Sequence, residues 1–296
     1  MNAAKNKSRH RHEQPLTTEG RRLRRPETTH AHHAMNYQTI LYEIKDGAGR
    51  LTLNRPEKLN SFNELMHEEV RQVLIKLKSE PVRALLITGA GRGFCAGQDL
   101  GDRRIAPGDS SVDLGATIEK YYAPLVRTLR ALPIPVVAGV NGVAAGAGAN
   151  LALACDLVIA AKSASFIESF AKLGLVPDTG GTFFLPRLIG TARALGLAML
   201  GDKVSAEQAA AWGLIWRCVD DADFPAATNE IMTQLASAPT KGLASTKQAI
   251  YASQTNSLDA QLDLERDLMR ELGKSHDYRE GVAAFLEKRA PQFNGE

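Results

Sequence analysis

The hydrophobic pattern changes period repeatedly along the chain, and the changes mark out alternating strands and helices. Two short runs of alternating apolar residues, 40–44 and 50–53, flank Asp46-Gly47 and predict a hairpin. A 3.6-residue repeat then predicts a helix from Asn60-Ser61 to about Lys78, with Leu65, Val70, Val73, Leu74 and Leu77 on its apolar face. Apolar runs at 82–88, 135–140 and 157–161 read as strands, separated by helical stretches at 112–132 and 147–155. Such alternation is the signature of an α/β fold wound around a parallel sheet. Beyond 180 the pattern is helical apart from 214–219. Short helices are predicted at 182–188, 191–200 and 205–212, with breaks at Gly190, Gly201 and Gly213. Three more follow from Pro225 to about Lys288, including the charged amphipathic run 258–273. Residues 35–225 therefore read as an α/β core and 226–296 as a C-terminal helical region.

Residues 1–34 carry no such pattern and too few large apolar residues to fold alone, which predicts a disordered basic, His-rich extension. The extension changes the meaning of the net charge. It holds eight Lys/Arg and three Glu, a balance of +5 within a total of +3, so the rest of the chain carries −2. That body offers no basic surface for nucleic acid. Five of the seven histidines, His10, His12, His30, His32 and His33, lie in the extension. Their scattered spacing, without cysteines or carboxylates in ligand geometry, favours a polar tail over a metal site.

Cys95, Cys155 and Cys218 are an odd, widely spaced set in apolar surroundings, which reads as reduced thiols in a cytoplasmic protein. No apolar run of membrane-spanning length and no signal-peptide core is evident, so no membrane partner is expected. A chain of 296 residues with 44% hydrophobic content can bury a large core.

Chemistry enters at two small-residue turns. The strand at 135–140 runs into Asn141-Gly-Val-Ala-Ala-Gly-Ala-Gly148, and a helix begins near Ala147. Unpaired N–H groups at a helix start favour negative charge, and small side chains let a ligand touch the backbone. Alone, such a turn is as readily a device for close packing. A second turn, Gly91-Arg-Gly-Phe-Cys-Ala-Gly-Gln-Asp99, follows the strand at 82–88. Two strand ends can then present two N–H donors to one oxygen. Between them, the Gly/Asp/Arg/Pro-rich loop 101–115 is long enough for an active-site lid.

The order and spacing of five motifs resemble the crotonase (enoyl-CoA hydratase/isomerase) superfamily over residues 35–296. They are Asn54-Arg-Pro, Gly93-Phe-Cys-Ala-Gly-Gln-Asp99, the 141–148 turn, Pro177-Asp-Thr-Gly-Gly181 and Phe285-Leu-Glu-Lys-Arg289. More narrowly, the stretches 89–100, 172–181 and 261–267 resemble the isomerases of bacterial phenylacetate degradation that act on 1,2-epoxyphenylacetyl-CoA.

The resemblance implies a crotonase (ClpP-like) fold: repeated ββα units around a parallel sheet core, with a C-terminal helical trimerisation region. It implies homo-trimers, often paired into hexamers. The implied substrate is an acyl-CoA thioester, with coenzyme A part of the substrate and no further cofactor or metal. Its carbonyl would lie between the backbone N–H groups of Gln98 and Ala147, where side-chain identity is secondary. Arg55, Lys58, Ala96 and Lys288 would contact coenzyme A. A lysine that hydratases carry falls here at Gly101, and Arg103 or Arg104 could stand in for it.

The same alignment puts Asn150 and Phe170 where water-adding members carry two glutamates. Neither can take a proton, so hydration is not expected. Asp178 stands where the hydratase pattern has glycine, and as a lone carboxylate it could move a proton from the α- to the γ-carbon. The same Asp would also make a helix N-cap. Glu168 is a rival base, for which a surface or ion-paired fate is the ordinary expectation. Asp99 is expected to hold its loop through backbone N–H groups.

The activity implied is an isomerase converting 2-(1,2-epoxy-1,2-dihydrophenyl)acetyl-CoA to oxepin-CoA. A general Δ3,Δ2-enoyl-CoA isomerase, or a non-catalytic acyl-CoA- or RNA-binding paralogue, are the alternatives.

Overall fold

β1 (Ile40–Lys45) and β2 (Ala48–Leu53) form the expected hairpin, turning on Asp46 and Gly47, whose φ angles of 50° and 77° are the left-handed values a two-residue turn needs. The computed structural model describes residues 37–103 and 113–296. The N-terminal extension with its five histidines lies outside the described residues, as do the centre of loop 101–115 with Arg104 and the Arg103 side chain. Tyr37–Glu296 form one compact unit, and the expected boundary at 225/226 falls in the first turn of its helix Phe224–Ser237.

A six-stranded sheet runs in the order β1-β2-β3-β5-β7-β10, with β3 (Ala84–Gly89), β5 (Val136–Val140), β7 (Leu157–Ala161) and β10 (Arg217–Val219). Every pairing beyond the hairpin is parallel. β3, β5 and β7 are buried on both faces, which explains their unbroken apolar runs. On one face Leu85, Ile87, Val136, Ala138 and Val158 join the main core. On the other, Leu86, Val137 and Ile159 pack against Ile231 and Met232 of α7 (Phe224–Ser237).

A second sheet was not expected. Its order is β4-β6-β8-β9, from β4 (Gly93–Cys95), β6 (Val143–Ala145), β8 (Ser165–Ile167) and β9 (Lys203–Ser205). Each of β3, β5 and β7 is followed by one of these three-residue strands, so the repeated ββα units are present. The two turns read from the sequence each begin with such a strand.

α1 (Glu64–Lys76) starts later than expected, because Leu59 and Asn60 are left-handed and Phe62 pairs with Gln98 in a β-bridge. Asn63 caps it, accepting from the Met66 N–H at 2.9 Å. The shift turns Met66 inward and leaves Leu65 39% exposed, which corrects its assignment to the apolar face. The helix expected at 112–132 is α2 (Leu114–Thr117), a π-helical turn Ile118–Tyr122, and α3 (Ala123–Ala131). α4 (Ala147–Leu153) is buried along its whole length, which its small residues permit.

α5 (Gly181–Leu200) has the length and a mean hydropathy, 1.3, that would suit a membrane span, contrary to the expectation from the sequence. Gly190, at φ 75° and ψ 161°, divides it into two short helices as predicted. Each half is far below the ~20 residues a span requires. α6 (Ala206–Trp212) follows. The C-terminal region holds four helices, not three: α7, α8 (Thr240–Ala252), α9 (Leu258–Leu272) and α10 (His276–Glu287).

A buried ion pair fastens α8 to the core. Lys247 Nζ lies 2.9 Å from Asp156 Oδ2 and also donates to the carbonyls of Leu129 (2.8 Å) and Ile134 (3.3 Å). The Tyr251 hydroxyl donates to the other Asp156 oxygen, and the Arg130 guanidinium stacks 3.0 Å over the Tyr251 ring.

Candidate active site

The small sheet brings the two turns together. Gly148, in the first turn of α4, lies so close to β4 that a Cβ there would sit 2.2 Å from the Cys95 carbonyl oxygen. Only glycine allows that approach. A Cβ on Gly97 would fall 3.2 Å from the Ala147 nitrogen, so the residue preceding Gln98 touches the start of α4. The N–H groups of Gln98 and Ala147 donate to no acceptor among the described residues. Ala147 is the first residue of its helix, where no intrahelical acceptor exists. Two unspent donors on adjacent turns form a seat for one anionic oxygen.

The first turn is braced from three sides. Phe62 pairs with it through its N–H to the Gly97 carbonyl (2.7 Å) and its carbonyl to the Asp99 N–H (2.8 Å). The buried Asn60 side chain donates to the carbonyls of Ala90 and Gly93 at 2.9 and 2.8 Å. The Tyr122 hydroxyl donates to the Gln98 side-chain oxygen at 2.9 Å. The Gln98 side chain thus has a task, contrary to the reading that its identity is secondary. Only the π turn, which slips the helical register by one residue, accompanies this contact; nothing in the helical periodicity announced it.

Asp99 holds the loop as expected, accepting from the Gly101 N–H at 2.9 Å. Arg55 is engaged within the turn itself. Its Nη2 pairs with Asp99 Oδ2 at 2.9 Å, and its Nη1 donates to the Ser61 carbonyl at 2.7 Å, with both charged groups largely buried. The guanidinium is a strut of the turn. Burial alone would raise the Asp99 pKa, but the Gly101 N–H, the Arg55 hydrogen bond and the charges of Arg55 and Lys58 together hold it below the usual value. Lys58 is exposed beside this cluster, and the Ala96 N–H donates to the neighbouring Leu59 carbonyl at 2.9 Å. Lys288 is exposed at the left-handed C-cap of α10, and no described hydrogen bond or ion pair joins it to that cluster.

The second turn carries the carboxyls. The Gly146 N–H donates to the Ile167 carbonyl of β8 at 2.8 Å, and Phe170 packs against Gly146. Asp178 stands in the turn before α5, half-buried, accepting from the Thr179 hydroxyl at 2.8 Å. The N-cap is Gly180, with no side-chain hydrogen bond. Thr179 holds φ 54°, a costly value for a β-branched residue and one found mainly where function imposes it.

Glu168 is neither at the surface nor ion-paired. It is 1% exposed, and its Oε2 lies 3.2 Å from the Asn150 Nδ2. Burial, more than the nearby Asp178 charge and against the Asn150 hydrogen bond, pushes its pKa up to about 8. A period of two from Phe166 would have found it, since Phe166, Glu168 and Phe170 are all buried. Asn150 also donates to the Asp178 carbonyl at 2.9 Å, an approach made possible by Gly181, where a Cβ would lie 2.3 Å from Nδ2.

Cys95 is fully buried, and its thiol is pushed up to about 12 by burial, offset in part by the Gly97 N–H. Such a thiol is no nucleophile at neutral pH.

The arrangement suits stabilisation of an enolate oxygen beside a carboxylate base, and the comparisons agree with it. The profile of the family described as Enoyl-CoA hydratase/isomerase matches residues 43–296. The 1,2-epoxyphenylacetyl-CoA isomerase of Escherichia coli (strain K12) is 56% identical over 257 residues, 86% of this chain and 98% of that protein. A protein of Rhodobacter capsulatus named "Probable enoyl-CoA hydratase" is 48% identical over 261 residues, 88% of this chain and 100% of its own. The crystal structure of enoyl-CoA hydratase from Bacillus anthracis superposes with a TM-score of 0.80 at 33% identity, covering 88% of this chain and 100% of that one. The chain belongs to the enoyl-CoA hydratase/isomerase, or crotonase, family.

Proposed function

We propose that the protein is an acyl-CoA isomerase that converts ring-1,2-epoxyphenylacetyl-CoA to oxepin-CoA. The observation that carries this reading is the place of Asp178, half-buried in the turn before α5 with its carbonyl on the Asn150 amide, where neither Asn150 nor Phe170 can move protons. The 56% identity to a protein of that activity supports the choice of substrate.

The N–H groups of Gln98 and Ala147 hold the thioester oxygen. Asp178 takes a proton from the α-carbon, the C–H electrons enter the thioester as an enolate, and the negative charge settles on the held oxygen. The same proton returns at the γ-carbon. With the epoxide, ring opening to its valence isomer, the oxepin, precedes this shift, and no atom is gained or lost. One oxyanion donor is worth about 3 kcal/mol of barrier. Simple proton transfer needs no cofactor beyond the coenzyme A of the substrate. Lys58, Ala96 and Lys288 are assigned to coenzyme A, with Arg55 acting on it through the turn it braces.

α9 buries none of its residues within the chain, and Leu258, Met269, Phe285 and Leu286 are all more than two-thirds exposed, which supports a homo-trimer or hexamer. Unpaired thiols at Cys95, Cys155 and Cys218 support a cytoplasmic site of action.

The test is turnover of the epoxide and of 3-enoyl-CoA esters, with crotonyl-CoA as the hydration control. Epoxide isomerisation with negligible water addition is expected. Efficient 3-enoyl turnover without the epoxide reaction would assign the general Δ3,Δ2-isomerase instead, and rapid hydration would overturn the proton-transfer assignment.

A further inference from the structure

We propose that Glu168 is a positioning residue of this site: as a buried carboxylic acid paired with the Asn150 carboxamide, it fixes the Asp178 turn and keeps the site's negative charge on Asp178. The proposal rests on the isomerase reading for its catalytic consequence, but its structural basis is independent of it.

A carboxylate removed from water is costly unless a cation meets it. Glu168 is 1% exposed, and no Lys, Arg or His forms an ion pair with it among the described residues. Lys172, Asp202 and Lys203, the charged residues of the adjoining segments, are exposed, and Asn150 on α4 is neutral. The charge that acts on Glu168 is that of Asp178, and it opposes ionisation. Burial and this repulsion both favour the neutral acid.

Asn150 points the same way. Its Nδ2 serves both Glu168 Oε2 and the Asp178 carbonyl, while its Oδ1 is buried with no partner among the described residues. A carboxylate has no proton to give that oxygen, whereas a carboxylic acid has one. The neutral acid and the amide can then pair through two hydrogen bonds, with the Asp178 backbone held by the same amide.

Two carboxyls whose surroundings drive them apart divide the work, one remaining acid and the other ionised. With Glu168 neutral, the pair carries one charge before Asp178 takes the substrate proton and none while the enolate exists. Ionisation of Glu168 would remove its donation to Asn150 Oδ1, leaving that oxygen without a donor, and set a second negative charge beside the enolate.

The experiment combines carboxyl titration with a pH profile. In enzyme labelled with 13C at the glutamate carboxyls, one resonance should titrate near pH 8, vanish in Glu168→Gln, and move to lower pH in Asp178→Asn. Turnover by the unmodified enzyme should fall about tenfold within one pH unit above that midpoint, the ordinary alkaline limb of a single ionisation. Glu168→Gln imitates the neutral acid, so it should keep the neutral-pH rate within a few-fold and lose that limb. A Glu168 midpoint in the usual carboxylate range, or an unchanged alkaline limb in Glu168→Gln, would overturn the proposal. Absence of any acyl-CoA turnover would overturn the isomerase reading instead, and the titration alone would then decide the state of Glu168.

Discussion

The Tyr122 hydroxyl and the Gln98 side chain are joined by a 2.9 Å hydrogen bond, so the residue proposed to supply one carbonyl-binding N–H is anchored by its own amide. The anchor comes from a π-helical turn packed over the first oxyanion turn. Tyr122→Phe removes this hydrogen bond, worth about 0.5–1.5 kcal/mol. We expect kcat to fall about three- to tenfold, with KM for acyl-CoA little changed. Loss of affinity without loss of rate would show that Tyr122 shapes the pocket and does not align the donor.

Asp178→Asn keeps the shape of the turn and removes the basic oxygen. Turnover of a 3-enoyl-CoA should drop by about 10² to 10⁴, the range that general acid–base catalysis supplies. Acyl-CoA binding, measured by calorimetry, should stay within a few-fold, because the carbonyl is held by backbone groups. Melting temperature should change little, since asparagine is as good a helix cap as aspartate.

The Lys247–Asp156 pair makes a different kind of prediction. Its side chains are 7% and 15% exposed, so Lys247→Ala strands a buried carboxylate. Breaking such a pair from one side costs about 3–5 kcal/mol. Chemical denaturation should register that loss. Lys247→Met together with Asp156→Asn should recover part of it, because no lone charge is left behind.

Stability should also follow Glu168. Its folded-state pKa, about 8, exceeds the ordinary 4.5, so between those values the folded chain holds a proton that the unfolded chain has released. Stability from this group therefore declines as pH rises through the window, by about 1.4 kcal/mol per unit at most. Below pH 4.5 both states are protonated and the effect vanishes. Unfolding free energies of the unmodified protein and Glu168→Gln, compared from pH 4 to 9, should diverge in favour of the variant.

The exposed apolar residues of α9 and α10 give a prediction about assembly. Phe285 is 83% exposed and Leu286 73%. Phe285→Glu with Leu286→Glu should shift light-scattering mass toward the monomer. An unchanged mass would remove these two side chains from any subunit contact.

The large sheet was legible because Leu85, Val137 and Ile159 lie in unbroken apolar runs that only a doubly covered strand requires. The small sheet was not. Strands of three residues are shorter than the about four residues over which alternation can be read, and β6 hides in a run whose Gly and Ala content reads as a turn. The two oxyanion positions could be placed by motif alone, since their backbone role follows from the turns. The burial of Glu168 was legible in the alternation with Phe166 and Phe170, but its raised pKa was not, because Asn150 and Asp178 neighbour it in space and not in sequence. The Arg55–Asp99 pair was hidden for a similar reason: the two residues lie far apart along the chain.

The small sheet also dictates when the site can exist during synthesis. Its strands are drawn from Gly93 at one end to Ser205 at the other, and β9 pairs with β8 as its last member. A nascent chain can form the β1–β2 hairpin and lay β3 and β5 beside it before β9 has left the ribosome. The sheet that carries both turns is complete only later, so a premature stop short of Ser205 should yield a chain with much of its large sheet and with β8 left as an open edge.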